Sequence, residues 1–156
     1  MSVAVGDKLW IKHEEHAWLA GRVSKLDSVN ATIDTEIGQL KIKLDEAKKL
    51  EPCGSHIDDS VDNLVDLDEL SEGAILHHTR KRYKTQAIYT NVGAILVAVN
   101  PFERLNIYGE NDIKQASNPA VSRPHVFVTG YTAYQQLRMN LKNQAVLISG
   151  ESGAGT

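Results

Sequence analysis

The stretch that decides the fold is Ala145-Val-Leu-Ile-Ser-Gly150-Glu-Ser-Gly-Ala-Gly-Thr156. An apolar run that feeds a glycine-rich turn is how a phosphate-binding loop begins, and the pattern is G-x-x-x-x-G-K-[ST]. Gly150 to Gly155 supplies G-x-x-x-x-G, and Thr156 stands where the lysine belongs. Glycines at 150, 153 and 155 allow torsions that a Cβ would obstruct. Consecutive N–H groups can then form an anion nest, to which a following helix N-terminus would add partial positive charge. The candidate phosphate residues are Gly150, Glu151, Ser152, Gly153, Ala154, Gly155 and Thr156, and the Thr156 hydroxyl is the candidate magnesium ligand. Without the lysine, the loop carries a nest and no counter-charge. The competing reading is a frayed Gly/Ser-rich terminus.

The composition is that of an ordinary globular protein: 156 residues, 42% hydrophobic and 24% charged. No apolar run approaches the ~18 residues of a membrane span. Met1-Ser-Val-Ala-Val-Gly6 lacks the basic region and apolar core of a signal peptide. Cys53 is the only cysteine, so no internal disulfide forms, and a cytosolic setting fits. The net charge of −3 hides a segmentation. Residues 1–50 carry eight basic and eight acidic side chains, residues 51–72 eight acidic and none basic, and residues 73–156 nine basic and four acidic. The cluster Arg80-Lys-Arg-Tyr-Lys84 reads as a solvated helix face rather than a nucleic-acid patch, since no second basic block supports it.

Residues 5–50 read as a small β-module. Lys8–Lys12 and Ala17–Val23 are short apolar and aromatic strands, and Asn30–Thr35 and Leu40–Leu44 alternate with period two. Short strands at near-regular spacing suggest a small SH3-like barrel. One or both of Trp10 and Trp18 are expected in its core, with a peptide-binding aromatic face as the alternative. Glu51–Ser60 reads as a linker. Gly73–Thr85 reads as a helix with Ile75, Leu76 and Thr79 inward and Lys81, Arg82 and Lys84 outward. Adjacent His77 and His78 lack metal-ligand spacing and read as surface or packing residues. Ala94–Val99 reads as a strand buried on both faces, ended by Asn100-Pro101. Ile113–Ser117 reads as a short helix, Pro119–Pro124 as loop, and Phe127–Asn140 as a helix with Tyr131, Tyr134 and Leu137 on one side. Both Ala94–Val99 and Ala145–Ser149 are expected as central strands of a parallel sheet.

These pieces, in this order, resemble the N-terminal part of a myosin heavy chain. The matches are the β-module, the acidic Val61–Gly73 run, Tyr89-Thr-Asn-Val-Gly-Ala-Ile-Leu-Val-Ala-Val-Asn-Pro-Phe102 with Tyr108, Pro124-His-Val-Phe-Val-Thr-Gly-Tyr-Thr-Ala-Tyr134, and Gly150-Glu-Ser-Gly-Ala-Gly155. The resemblance implies an SH3-like domain over 1–52, a linker over 53–60, and the start of an α/β P-loop NTPase motor domain over 61–156, incomplete and ending in the P-loop. It implies that Asn100, Pro101 and the tyrosine seven residues beyond the proline, Tyr108, border the adenine, with Arg104 between them. The rigid turn, the flat aromatic and the guanidinium suit a base and its phosphates. For the parent protein the resemblance implies ATP and Mg²⁺ as ligands, actin filaments and light chains or calmodulin as partners, and a cytoplasmic, cytoskeletal location. No catalytic residue is assigned, and the 156 residues by themselves are expected to be inactive. Two alternatives stay open: a non-catalytic SH3-like interaction module with a degenerate tail, and another P-loop NTPase such as a kinesin, against which the β-module and the Asn100-Pro101-Phe102 turn argue.

Overall fold

The computed structural model describes residues 2–118 and 122–154. The chain divides into two compact units. One comprises the residues up to Asp59 together with Leu67–His78, and the other Ser60–Asp66 together with the residues from Thr79 onward.

In the first unit, β1 (Lys8–His13), β2 (Ala17–Leu26), β3 (Asn30–Thr35) and β4 (Gly38–Lys43) form a four-stranded antiparallel meander in sequence order. The period-two alternation puts Leu9, Ile11, Val23, Ala31 and Ile33 into one core, closed by Ala47 of the short α1 (Leu44–Ala47). Leu40 and Ile42 of β4 pack against it. Gln39, Lys41 and Lys43 stay exposed on β4, the edge strand, and the two lysine charges discourage edge-to-edge pairing. Sheet spacing at the centre requires Gly21, since a Cβ there would lie 2.5 Å from Ile33 Cγ2 and 2.8 Å from Ile11 Cδ1. The β2–β3 turn is tied by Asp27, whose Oδ1 accepts the N–H groups of Val29 at 2.8 Å and Asn30 at 2.6 Å. After α1 the chain returns along β1, with Trp10 N–H donating to Glu51 O and Cys53 N–H to Lys8 O, each at 2.8 Å. The edge of β1 that β2 leaves free is therefore covered. Trp10 is 2% exposed and clusters with Ile57 and Ala74, while its indole N–H donates to Glu69 at 3.1 Å. Trp10 is thus buried outside the core of the β-module in which a tryptophan was expected, and Trp18 is half-buried against the same second cluster.

The helix expected at 73–85 is α2 (Glu72–Tyr83). Its most buried stripe is Ala74, His78 and Arg82, four residues apart, with Ile75, Leu76 and Thr79 half-buried beside it. Arg82 is thus corrected from outward to inward: it is buried because its guanidinium has acceptors. Nη1 donates to Val61 O at 2.9 Å and to Asp62 Oδ1 at 2.7 Å, and Nη2 donates to Tyr89 O at 2.8 Å. His78 is a buried packing residue.

In the second unit, the single strand expected across 94–99 is instead half of a hairpin. β5 (Tyr89–Val92) and β6 (Ile95–Ala98) pair antiparallel around Gly93, whose φ of +61° suits glycine in a tight reversal. The run is not buried on both faces, and Ile95 is 67% exposed. Ala145–Ser149 forms no strand, and Leu147 is 93% exposed. An apolar run becomes a central strand only where neighbours supply both a hydrogen-bond ladder and covered faces. Among the described residues neither run has them. A one-turn helix (Leu64–Asp66), α3 (Glu110–Ala116) and α4 (Val126–Asn140) complete the unit. In α4, Tyr131 is half-buried, Tyr134 and Leu137 are exposed, and the helix buries no residue. Three residues of the loop expected at 119–124 lie outside the described residues.

Candidate functional site

The segment between β6 and α3 carries every residue expected on the adenine side. It is neither helix nor strand, so single bonds hold it. Asn100 is half-buried and works with both ends of its amide. Oδ1 accepts the Phe102 N–H at 2.9 Å, and Nδ2 donates to the Gly153 carbonyl at 3.1 Å. The first bond closes the Asn100-Pro101-Phe102 turn and leaves Phe102 at φ +53° and 84% exposed, a left-handed conformation that costs a non-glycine residue energy. The second joins this turn to the glycine-rich loop, 53 residues away in sequence. The Pro101 carbonyl accepts the Tyr83 hydroxyl at 3.3 Å. Arg104 is exposed.

Tyr108 is 49% exposed and belongs to an aromatic group. Its ring centroid lies 5.5 Å from His125 and 6.1 Å from Phe127, and Tyr89 lies 5.0 Å from His125. The Tyr89 and Tyr108 hydroxyls are 3.0 Å apart. Burial, and then this bond to Tyr108, push the Tyr89 hydroxyl above its ordinary value, so the Tyr89 phenol is neutral at physiological pH. His125 and Tyr89 were not among the expected site residues. The signal for His125 lies in its position: it directly precedes an apolar helical run, where a side-chain acceptor caps.

Gly150, Glu151, Ser152, Gly153 and Ala154 are all exposed. Ala154 N–H donates to Glu151 O at 3.0 Å, so the loop makes a turn, with Gly153 at φ +87°. Nothing lies within 4 Å of where a Gly153 Cβ would stand. Gly155 and Thr156, including the expected magnesium ligand, lie outside the described residues. On the base side, a half-exposed aromatic and a rigid polar turn fit an adenine. On the phosphate side, the described loop offers main-chain amides and one carboxylate, Glu151, but no cationic side chain. Among the described residues no group of three or more His, Cys, Asp or Glu could hold a metal ion, and no helix is long and apolar enough to cross a membrane.

Comparison with known proteins bears on this arrangement. The family model for the myosin head (motor domain) matches residues 61–156. The high molecular weight form of myosin-1 from Acanthamoeba castellanii is 38% identical over 151 residues, covering 94% of this chain and 10% of that protein. The myosin-H heavy chain of Dictyostelium discoideum is 35% identical over 153 residues, covering 96% of this chain and 8% of that protein. Myosin-4 of Saccharomyces cerevisiae is 35% identical over 173 residues, covering 99% of this chain and 12% of that protein. The chain therefore spans about a tenth of the length of these relatives.

Proposed function

The chain belongs to the myosin head (motor domain) family, and we propose that it forms the nucleotide-receiving start of an ATP-hydrolysing, actin-based motor. In this reading residues 1–52 are an SH3-like domain, 53–60 a linker, and 61–156 the opening part of a P-loop motor domain. Asn100, Pro101, Arg104 and Tyr108 border the adenine, and Gly150–Thr156 cradle the phosphates. The observation that carries the reading is the Asn100 Nδ2 bond to the Gly153 carbonyl, because it joins the base-side turn and the phosphate loop in one compact unit.

The division of labour follows from chemistry. Tyr108 offers an aromatic face for the base, and the Asn100 amide offers a donor and an acceptor. The loop amides neutralise phosphate charge only in part. The residue after Gly155 is Thr156 rather than lysine, which removes the ammonium that reaches the β- and γ-phosphates. Charge-assisted bonds are worth about 1.5–3 kcal/mol each, so this chain binds MgATP weakly. Thr156 would hold Mg²⁺, which neutralises phosphate charge in phosphoryl transfer. In the complete motor, actin and light chains or calmodulin are the partners, and the cytoskeleton is the location.

Calorimetry tests the reading. The chain as it stands should show no saturable MgATP binding at micromolar ligand. Insertion of a lysine between Gly155 and Thr156 should tighten binding at least tenfold, corresponding to about 1.4 kcal/mol. Equal affinities with and without the lysine would refute the loop assignment.

A further inference from the structure

We propose that His125 is a positioning residue for the adenine side of the site, holding Tyr108 in place through the main chain of Ile107. The proposal rests on Tyr108 bordering the base.

The imidazole is used at both nitrogens. Nδ1 accepts the N–H of Phe127 at 3.0 Å and so caps the start of α4. Nε2 lies 2.8 Å from the carbonyl oxygen of Ile107. A peptide N–H can only donate and a carbonyl can only accept. One protonation form of histidine satisfies both partners: neutral, with the hydrogen on Nε2. The ring therefore bolts the residue just before Tyr108 to the first turn of a 15-residue helix.

The other flank of Tyr108 is fixed as well. Gly109 N–H donates to Asp112 Oδ2 at 2.9 Å, at the start of α3. The peptide groups on both sides of Tyr108 are thus tied to helices, within a segment that has no ladder of its own. Side-chain contacts add direction: the His125 ring stands between Tyr89 and Phe127, at 5.0 and 4.7 Å, and the Tyr89 hydroxyl meets that of Tyr108. These contacts hold Tyr108 while leaving it half-exposed to meet a ligand. An aromatic platform binds a base best when its orientation is set before the ligand arrives, since less ordering then opposes binding.

His125→Asn separates the two bonds. Asparagine is among the best helix caps, so α4 keeps its cap, but its shorter side chain does not reach Ile107. The first measurement is NMR of the unliganded 156-residue chain with ring-labelled tyrosine, with Tyr108→Phe assigning the signal. His125→Asn should shift or broaden the Tyr108 ring signals while the α4 amide signals persist. Unchanged Tyr108 signals overturn the proposal. The second measurement needs no variant: side-chain nitrogen shifts of labelled histidine should show His125 neutral, with its proton on Nε2. The form protonated on Nδ1 overturns the proposal.

The third measurement uses the chain with lysine inserted after Gly155, titrated with MgATP and with magnesium tripolyphosphate. His125→Asn should weaken MgATP about fivefold, the low end for aromatic stacking on a base, and leave tripolyphosphate unchanged. Loss of MgATP affinity in Tyr108→Ala but not in His125→Asn overturns the role of His125 alone. No loss in Tyr108→Ala overturns the assignment of Tyr108 to the base, and with it the reading on which the proposal rests.

Discussion

Glycine-to-alanine replacement should have opposite signs in α2 and α4. In a helix interior the change ordinarily stabilises by about 1 kcal/mol, because glycine loses more backbone freedom on folding. At Gly73, the second residue of α2, no more than that gain is available, and it meets an obstacle. A Cβ there would lie 2.8 Å from both Cδ2 and Cε3 of Trp10, and 3.2 Å from its Cε2. The indole cannot retreat freely, because it is 2% exposed, packs with Ile57 and Ala74, and donates to Glu69. Overpacking of this kind costs about 1–3 kcal/mol. Taking about 2 kcal/mol for the clash against about 1 kcal/mol gained, Gly73→Ala should destabilise the first unit by about 1 kcal/mol. For a unit of this size that lowers the melting midpoint by about 4–8 °C. Gly130, in α4, has nothing within 4 Å of its Cβ direction, so the gain stands alone there. Trp10 and Trp18, the only two tryptophans, both lie in the first unit, so fluorescence melting reports Gly73→Ala cleanly. Hydrogen exchange of α4 amides reports Gly130→Ala, which should slow about fivefold, the equivalent of about 1 kcal/mol. A raised midpoint for Gly73→Ala, or faster α4 exchange for Gly130→Ala, would refute the packing argument.

Replacing Arg82 with Met should destabilise the second unit by about 2–4 kcal/mol, since the Val61 and Tyr89 carbonyls lose their donor, and β5 amides should lose exchange protection. Retained protection in β5 would contradict that role. The main-chain N–H groups of Val29 and Asn30 hold the Asp27 carboxyl below its ordinary value of 3.8. Its stabilising contribution is therefore complete above the ordinary carboxylate range and is lost as pH falls through the lower folded-state value. Asp27→Ala should accordingly lower stability at neutral pH and flatten the acid limb of the stability–pH curve, and parallel curves for the two proteins would count against the turn's role. Burial, and then the nearby Glu69 charge, push the Cys53 thiol up to about 12. Alkylation at pH 8 should therefore run at least tenfold slower than for an ordinary exposed thiol, and a rate matching the exposed thiol would disprove it.

The β-meander, α2, α3 and α4 were readable from the chain because their signals are local. Alternation at Leu9, Ile11, Ala31 and Ile33 chooses strand, and a polar turn such as Asp27–Asn30 ends one. The motif residues Asn100 and Gly153 were readable too, as spellings that resemble myosin. What the sequence did not reveal depends on partners distant in the chain. Arg82 looks like any residue of a basic helix, and only the carbonyls of Val61 and Tyr89 make its burial tolerable. His125 gains its role from Ile107, and Asn100 from Gly153. Ala94–Val99 and Ala145–Ser149 have the hydrophobicity of buried strands, yet one folds back on β5 at Gly93 and the other pairs with nothing described. Side-chain periodicity by itself determined which segments prefer to bury a face. Which neighbour would cover that face, and which acceptors would meet a buried donor, only the tertiary structure decided, because strand pairing and polar satisfaction are made between groups that the sequence holds far apart.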